Sequence, residues 1–482
     1  PESGVVLRSV IYRRLEDGRR ESDIFKYERA AGAALRELAP SSSFYAGGRK
    51  VKIEQVDVSL SEVEEWRFCD ACSYMERVGA EERAGKCPRC GSSGFGDLGQ
   101  RRKLLRMKQV YAFGDDKSTL IADDSDDRET VFYVDQTLVN FDEKDVAKAW
   151  RSEDSETPFG FEYISRAVFR EVNFGTDDEY GERVSIDGKE LPRKGFLICR
   201  HCGKLQPEKG EQKHASICPA RGKESEKNLV DCVYLYRELQ SEALRILLPS
   251  SSTTANEQDI RSFTAALQLG FKKYFRGGTD HLRCTLYQEP VNGSELRRTY
   301  LLVYDAVPGG TGYLKQLALD SREFMEVLQK ALDVLVSCGC EKDPERDGCY
   351  RCIYAYGASY YMKDVSRRRA AEMLMSALKH RDSMYPVDTV SHIEVNASFD
   401  SELESLFVEA VRRAVRNEPE GEMFKQVING KSGYFLRKGG VAWYLEPQVL
   451  LGKAAGVAVP SIADFVFWPA RSKDNIKPVV VF

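Results

Sequence analysis

Apolar residues recur at helical spacing in several stretches of the chain. They do so over residues 24–38, over 235–248 ahead of Pro249, and over 260–270. Phe324, Val327, Leu328, Ala331, Leu332 and Leu335 line one face of a longer helix. Phe399, Leu403, Leu406, Phe407, Ala410, Val411 and Ala414 line another. Arg367, Arg368 and Arg369 open a further helical stretch. Elsewhere the pattern is that of strands: the imperfect alternation Val51, Ile53, Val56, Val58, Leu60, then 131–134, 167–174 and the buried run 300–305. Residues 43–50 read as a turn between strands. Near the end come a hairpin over 434–443 around Gly439-Gly440, then strands over 445–449, 462–468 and 478–482. Polar excursions at 115–129, 142–156 and 250–257 read as surface loops.

This order predicts an α+β multidomain chain. An α/β segment over 1–65 precedes a zinc ribbon over 66–110. A β-rich linker region with a second metal site spans 111–230, and a mixed α/β zinc-binding module spans 231–385. A truncated α/β nuclease-like domain over 390–482 closes the chain. The length, 482 residues, agrees with several units at roughly 100–200 residues each. The chain opens on Pro1 and stops inside the apolar run Pro478-Val479-Val480-Val481-Phe482, and so reads as a piece of a longer protein, cut through a strand.

Hydrophobic residues at 42% and charged residues at 30% fit a globular chain and exclude a disordered one. No run approaches the ~18 apolar residues of a membrane span, and the first residues lack a secretory core. A formal charge of −4 excludes a uniformly basic coat and leaves local basic faces open. Thirteen cysteines, an odd number without a secretory signal, point to a reducing cytoplasm and to metal binding.

Eleven of the thirteen fall into three clusters; Cys232 and Cys284 stand alone among apolar residues and read as small buried hydrophobes. Cys69-x2-Cys72 and Cys87-x2-Cys90 are two tight turns able to place four thiolates on tetrahedral corners around Zn²⁺. Cys199-x2-Cys202 with His214-x3-Cys218 is a Cys₃His pattern, in which His214 and not His201 is the expected ligand, because His201 lies inside the knuckle. Cys338-x-Cys340 with Cys349-x2-Cys352 is a third set. Each set fills all four corners, so the three zinc ions are expected to be structural. The glycine loop 309–312 fails the P-loop test because Tyr313 follows Gly312, and Gly430-Lys431-Ser432 lacks the earlier glycine at Lys425. ATP binding is therefore expected only in motor domains outside this piece. Arg101, Arg102, Lys103 and Arg106 form one candidate phosphate-contacting strip, and Arg367, Arg368 and Arg369 a second; a solvated strand edge and a solvated helix face are the alternatives.

Three motifs together carry a resemblance: Ser241-Glu242-Ala243-Leu244-Arg245, Tyr304-Asp305-Ala306-Val307-Pro308-Gly309-Gly310-Thr311-Gly312-Tyr313, and the cysteines at 338–352. Over about residues 230–380 the chain resembles the zinc-binding module that closes a group of bacterial superfamily II DEAD/DEAH-box helicases. The group includes mitomycin-repair helicases and those of the DISARM and Druantia phage-defence systems. The resemblance implies zinc on Cys338, Cys340, Cys349 and Cys352, a parent that translocates on DNA using ATP, and defence-system subunits as partners. That family often shows Asn-Gln and a His after the last cysteine, where this chain has Tyr356-Gly357-Ala358-Ser359. Residues 395–482 are similar to the very-short-patch-repair and PD-(D/E)XK nucleases through Glu404, the Gln448 strand and Asp464. This second resemblance implies Mg²⁺ held by Asp464 with Glu404 assisting. The expected function is the C-terminal region of a DNA helicase, or helicase–nuclease, in repair or phage defence. The alternative is a non-catalytic zinc scaffold that binds nucleic acid or a partner protein.

Overall fold

The computed structural model describes residues 4–482 apart from 18, 80–84, 122–130, 153–158, 179, 208, 224, 249–256, 291–296, 343–346, 356–363, 393–401, 417, 419–420, 429–430, 453–460 and 471–476. The chain forms two compact units, both discontinuous in sequence. The first comprises Pro1–Asp145, Arg166–Glu242 and Asp305–Gly310; the second comprises Val146–Ser165, Ala243–Tyr304 and Thr311–Phe482. Among the described residues, no helix is long and apolar enough to cross a membrane.

In the first unit, Val5–Arg14 pairs antiparallel with Arg20–Arg29 and parallel with Gln109–Asp115. Arg49–Val56 and Ser43–Ala46 complete this five-stranded sheet. The stretch 24–38, expected as one helix, is strand up to Arg29 and helical only over α1 (Ala31–Glu37). Ile24, Phe25 and Tyr27 suit a pleated surface, and a ten-residue pairing with the first strand decides between the two. The expected turn at 43–50 shrinks to Gly47 and Gly48, both at positive φ.

The larger correction concerns residues 235–248. They are not helical; they belong to the nineteen-residue strand Leu229–Leu247. Its alternate residues feed two different cores. Val233 and Leu235 pack with Leu7, Ile53 and Val110, whereas Tyr234 and Tyr236 pack with Trp66, Phe174 and Ile186. A strand buried on both faces shows no polar alternation, so its apolar run imitates a helix. In this unit it runs parallel to Arg101–Arg106, which in turn pairs with Val63–Phe68. The basic strip is therefore an interior strand rather than a strand edge.

In the second unit, the stretch 142–156, expected as a loop, contains the strand Val146–Ser152, paired with both Met384–Val387 and the start of Gly160–Thr176. Antiparallel pairing joins Ala243–Leu247 to Tyr300–Tyr304. Against these strands pack α2 (Glu257–Tyr274), α3 (Tyr313–Ala318), α4 (Ser321–Ser337) and α5 (Arg367–Leu378). Asp320 caps α4 by accepting from the Arg322 N–H, and Ser366 caps α5 by accepting from that of Arg369. α2 and α4 touch at Gly270, where an added Cβ would lie 2.5 Å from the Val327 carbonyl oxygen.

The last part of the second unit is α6 (Glu402–Arg416) followed by five antiparallel strands in sequence order, Glu422–Ile428, Lys431–Lys438, Val441–Leu451, Ser461–Pro469 and Val479–Val481. Val408 and Val415 of α6 bury one face of this sheet with Tyr434, Leu436, Leu445 and Phe465. It is a helix on a meander, and no distinct nuclease-like subdomain emerges from it.

Candidate metal centres

The three cysteine clusters each converge. In every set the four ligand atoms lie within 4.8 Å of one another. Zinc–sulfur bonds of ~2.3 Å define a tetrahedron with edges of about 3.8 Å. The observed edges match: 3.5 Å for Cys69–Cys90 and 3.7 Å for Cys72–Cys87. Cys199–Cys218 is 3.8 Å, and Cys340–Cys352 and Cys349–Cys352 are both 3.7 Å. A disulfide would need ~2.05 Å, and all thirteen thiols are free. The donor sets therefore fit zinc.

In the first cluster, Gly91 adopts φ +75°, letting its N–H reach the Cys87 carbonyl at 2.9 Å and close the second knuckle. Asp187 and Gly188, in the turn between strands Arg183–Ile186 and Lys189–Pro192, donate their N–H groups to the carbonyls of Cys69 and Asp70. Ser73 and Arg89 both bond the Val139 carbonyl. The knuckles are thus fixed to the first unit from two directions. Hydrogen bonds among the crowded thiols hold Cys69 and Cys72 up and Cys87 and Cys90 down. A metal that binds thiolate at each corner removes that competition for protons.

In the second cluster, His214 Nδ1 lies 3.3 Å from Cys199 Sγ and 3.6 Å from Cys218 Sγ, while Nε2 faces Gln212 Oε1 at 3.3 Å. Such an outer contact fixes the ring orientation of a ligating histidine. His201 is exposed and outside the set. Gly203, at φ +72°, donates to the Cys199 carbonyl and accepts from the Val56 N–H, so the knuckle is pressed against strand Arg49–Val56. Burial pushes the Cys199 thiol up to about 11.

In the third cluster, Cys338 follows the last residue of α4, and Cys352 is buried in the helical core with Ile353. Asp347 ties this knuckle to α5: its carboxylate accepts from Ser366 Oγ and the Arg368 N–H, and its carbonyl from the Arg367 N–H. Cys349 is drawn down to about 7; burial opposes this, but the Arg351 N–H and the neighbouring thiols outweigh it.

The two basic strips fall differently. Arg102 is buried and donates to the Arg101 carbonyl; Lys103 pairs with Asp231 at 2.5 Å, Arg101 faces Glu65 at 3.9 Å, and Arg106 is exposed. Strand alternation sends Arg101 and Lys103 to one face and Arg102 and Arg106 to the other. Arg367 is buried and donates to the Leu335 carbonyl at the end of α4. Arg369 makes a two-pronged pair with Asp259, and Arg368 is exposed. Asp464 is half-buried on strand Ser461–Pro469, next to Phe465, whose ring stacks on Phe407 of α6. Glu404 is carried by α6, with its side chain outside the described residues, as is the segment 356–359.

Sequence reasoning missed an ionic cluster built around a fully buried arginine. Arg245 pairs with Glu162 and Glu289, both at 2.6 Å, donates to Ser391 Oγ, and lies 4.5 Å from the Tyr300 ring centroid. Its signal was the arginine inside the apolar run 241–248, hidden by the helical reading. Glu446 was also missed; it is buried and accepts from the Trp468 indole at 2.8 Å.

Architecture and donor sets define a chain with structural zinc-binding modules. The family model described as the MrfA Zn-binding domain matches residues 263–353, the stretch that carries the third cluster. A crystal structure of the DUF1998 helicase MrfA bound to DNA aligns over 77% of this chain and 34% of that one, at 12% identity and a TM-score of 0.36. The chain thus spans about a third of the length of that helicase. No curated protein matches.

Proposed function

We propose that this chain is the zinc-stabilised, DNA-contacting C-terminal region of an ATP-dependent helicase that works in DNA repair or phage defence in the reducing cytoplasm. The match of residues 263–353 to the MrfA Zn-binding domain, with its four cysteines gathered as a zinc tetrahedron, carries this reading. The similar helicase has been crystallised on DNA. ATP would bind only in motor domains outside this chain, and defence-system subunits would be its protein partners. Titration of a fluorescent oligonucleotide at several salt concentrations tests the reading. DNA binding that weakens steeply with salt supports it; no binding at low salt leaves the alternative, a zinc scaffold for protein partners.

A nuclease activity in the last module is a further part of this proposal. Strand register sets Glu446 opposite Val466, two residues from Asp464, so both carboxylates project from the sheet face away from α6. Two acids on one face suit Mg²⁺, which prefers carboxylate and water oxygens. Asp464 would bind the ion with Glu446 beside it. Asp464→Asn should abolish Mg²⁺-dependent cleavage by the full-length protein with zinc content unchanged; cleavage at the wild-type rate removes the assignment.

A further inference from the structure

The C-terminal end of α2 breaks a rule of helix ends. Phe275 N–H bonds the Phe271 carbonyl and Gly277 N–H bonds that of Lys272, the six-to-one closure that places Arg276 at the first residue past the cap. That position is left-handed, φ +57° for Arg276, and glycine is its usual occupant. Glycine stands next door, at 277 and 278, both at positive φ with nothing within 4 Å of where a Cβ would be. The chain therefore keeps an arginine in a strained conformation, at the tip of an open loop, where glycine would fit without cost.

The surroundings say what the arginine serves. Residues 272–283 and 311–316 carry Lys272, Lys273, Arg276, Arg283 and Lys315, all exposed, against Asp280 as the only carboxylate, in a chain whose formal charge is −4. Among the described residues, Lys273, Arg276, Arg283 and Lys315 make no ion pair, unlike Arg369 of the strip expected from sequence, which pairs with Asp259. Between these cations lies a half-buried aromatic cluster. Phe275 stacks on Tyr313 with centroids 4.4 Å apart and planes at 17°, Tyr274 meets Phe275 edge-on, and His281 meets Tyr313 at 5.2 Å. Thr311 Oγ1 lies 3.2 Å from His281 Nε2, which joins the two loops. Gly312, at φ +84°, again leaves open space beside the backbone.

We propose that the α2 tip loop and the Thr311–Tyr313 turn form a single-stranded DNA site, with Lys272, Lys273 and Arg276 on the phosphates and the Phe275–Tyr313 pair offering stacking contact to a base. Cations that track the backbone, interleaved with aromatic rings, are the combination that unpaired nucleic acid requires, because every base has a face to stack. Cations at a helix C-terminus also complement its dipole. That role accounts for Lys272 and Lys273, and it does not require a strained arginine or an aromatic stack beside it.

The proposal rests on the DNA-binding reading above, and one set of titrations separates the two. The whole chain, zinc-loaded, is titrated with labelled oligo-dT and with a duplex of equal length. Arg276→Gly relieves the left-handed strain, so its denaturation midpoint should be no lower than wild type while oligo-dT affinity falls. The triple variant Lys272→Ala/Lys273→Ala/Arg276→Gly should lose about tenfold or more in affinity and reduce the salt slope by about 2, at ~0.7 per phosphate contact. Tyr313→Leu should weaken oligo-dT more than duplex. Failure of the wild type to bind any DNA sinks the parent reading and this one together. Wild-type binding that is unchanged in Arg276→Gly and in the triple variant, each with three zinc ions retained, overturns this site alone. Equal loss on both DNAs in Tyr313→Leu overturns the single-stranded assignment.

Discussion

Arg245 shows how much one side chain can hold. It is fully buried against the buried Glu162 and the half-buried Glu289, and the Glu162 carboxylate also accepts from Thr389 and from the Val390 N–H. Removing the guanidinium would leave one buried and one half-buried acid without their counter-charge. Arg245→Met should cost about 3–5 kcal/mol, measured by denaturant unfolding. Adding Glu162→Gln and Glu289→Gln to that variant should recover part of the loss, because the penalty lies in stranded charge rather than lost shape. At the metal centres, His214→Ala should lower bound zinc from three ions to two, and His201→Ala should leave three, by metal analysis after gel filtration. These ligands were legible because metal geometry constrains local spacing: a two-residue gap between cysteines is a knuckle wherever it occurs. Arg245, Glu446 and Asp259 were not legible, since their partners lie far away in sequence, as Asp259 and Arg369 do.

Among elements, α2, α4 and α5 were read correctly because each has one buried stripe and a polar remainder. The strand Leu229–Leu247 was misread because both faces are buried, by residues from distant strands. The same distance effect turned part of 24–38 and 142–156 into strands. Local pattern reports the number of buried faces and leaves the backbone state to the partner. Close approach is likewise invisible in sequence, and two glycines test it. Gly203→Ala places a Cβ against the Val56 carbonyl in a left-handed conformation and should destabilise the first unit by on the order of 1–3 kcal/mol, with weakened zinc at the second cluster. Gly270→Ala forces α2 from the Val327 carbonyl and should lower the denaturation midpoint, although alanine is the better helix former.

At the scale of the molecule, the three zinc sites divide two to one between the units: the first and second clusters lie in the first unit, the third in the second. Cys352→Ser should therefore remove one zinc, and hydrogen exchange should quicken in α4 and α5 more than in Val5–Arg14 or Gln109–Asp115. A chelator strong enough to strip all three should unfold the chain, because structural zinc contributes ~10–16 kcal/mol in small domains against a usual net stability of ~5–15 kcal/mol. The five-part division read from sequence followed the cysteine clusters along the chain. Each of the two units draws on separated stretches of the chain, a non-local arrangement that spacing along one dimension does not record.

That discontinuity sets an order on synthesis. The first unit has Pro1–Asp145 and Arg166–Glu242 early, but it also needs Asp305–Gly310. A ribosome adding ~5–20 residues per second delivers that last piece roughly 3–13 s after Glu242. During that interval both metal clusters of the first unit are already complete in the nascent chain, while its final turn and most of the second unit are still unmade. Zinc can then load onto a partly assembled scaffold. Any expression fragment that stops between Glu242 and Asp305 would carry two filled metal sites and an unfinished unit around them.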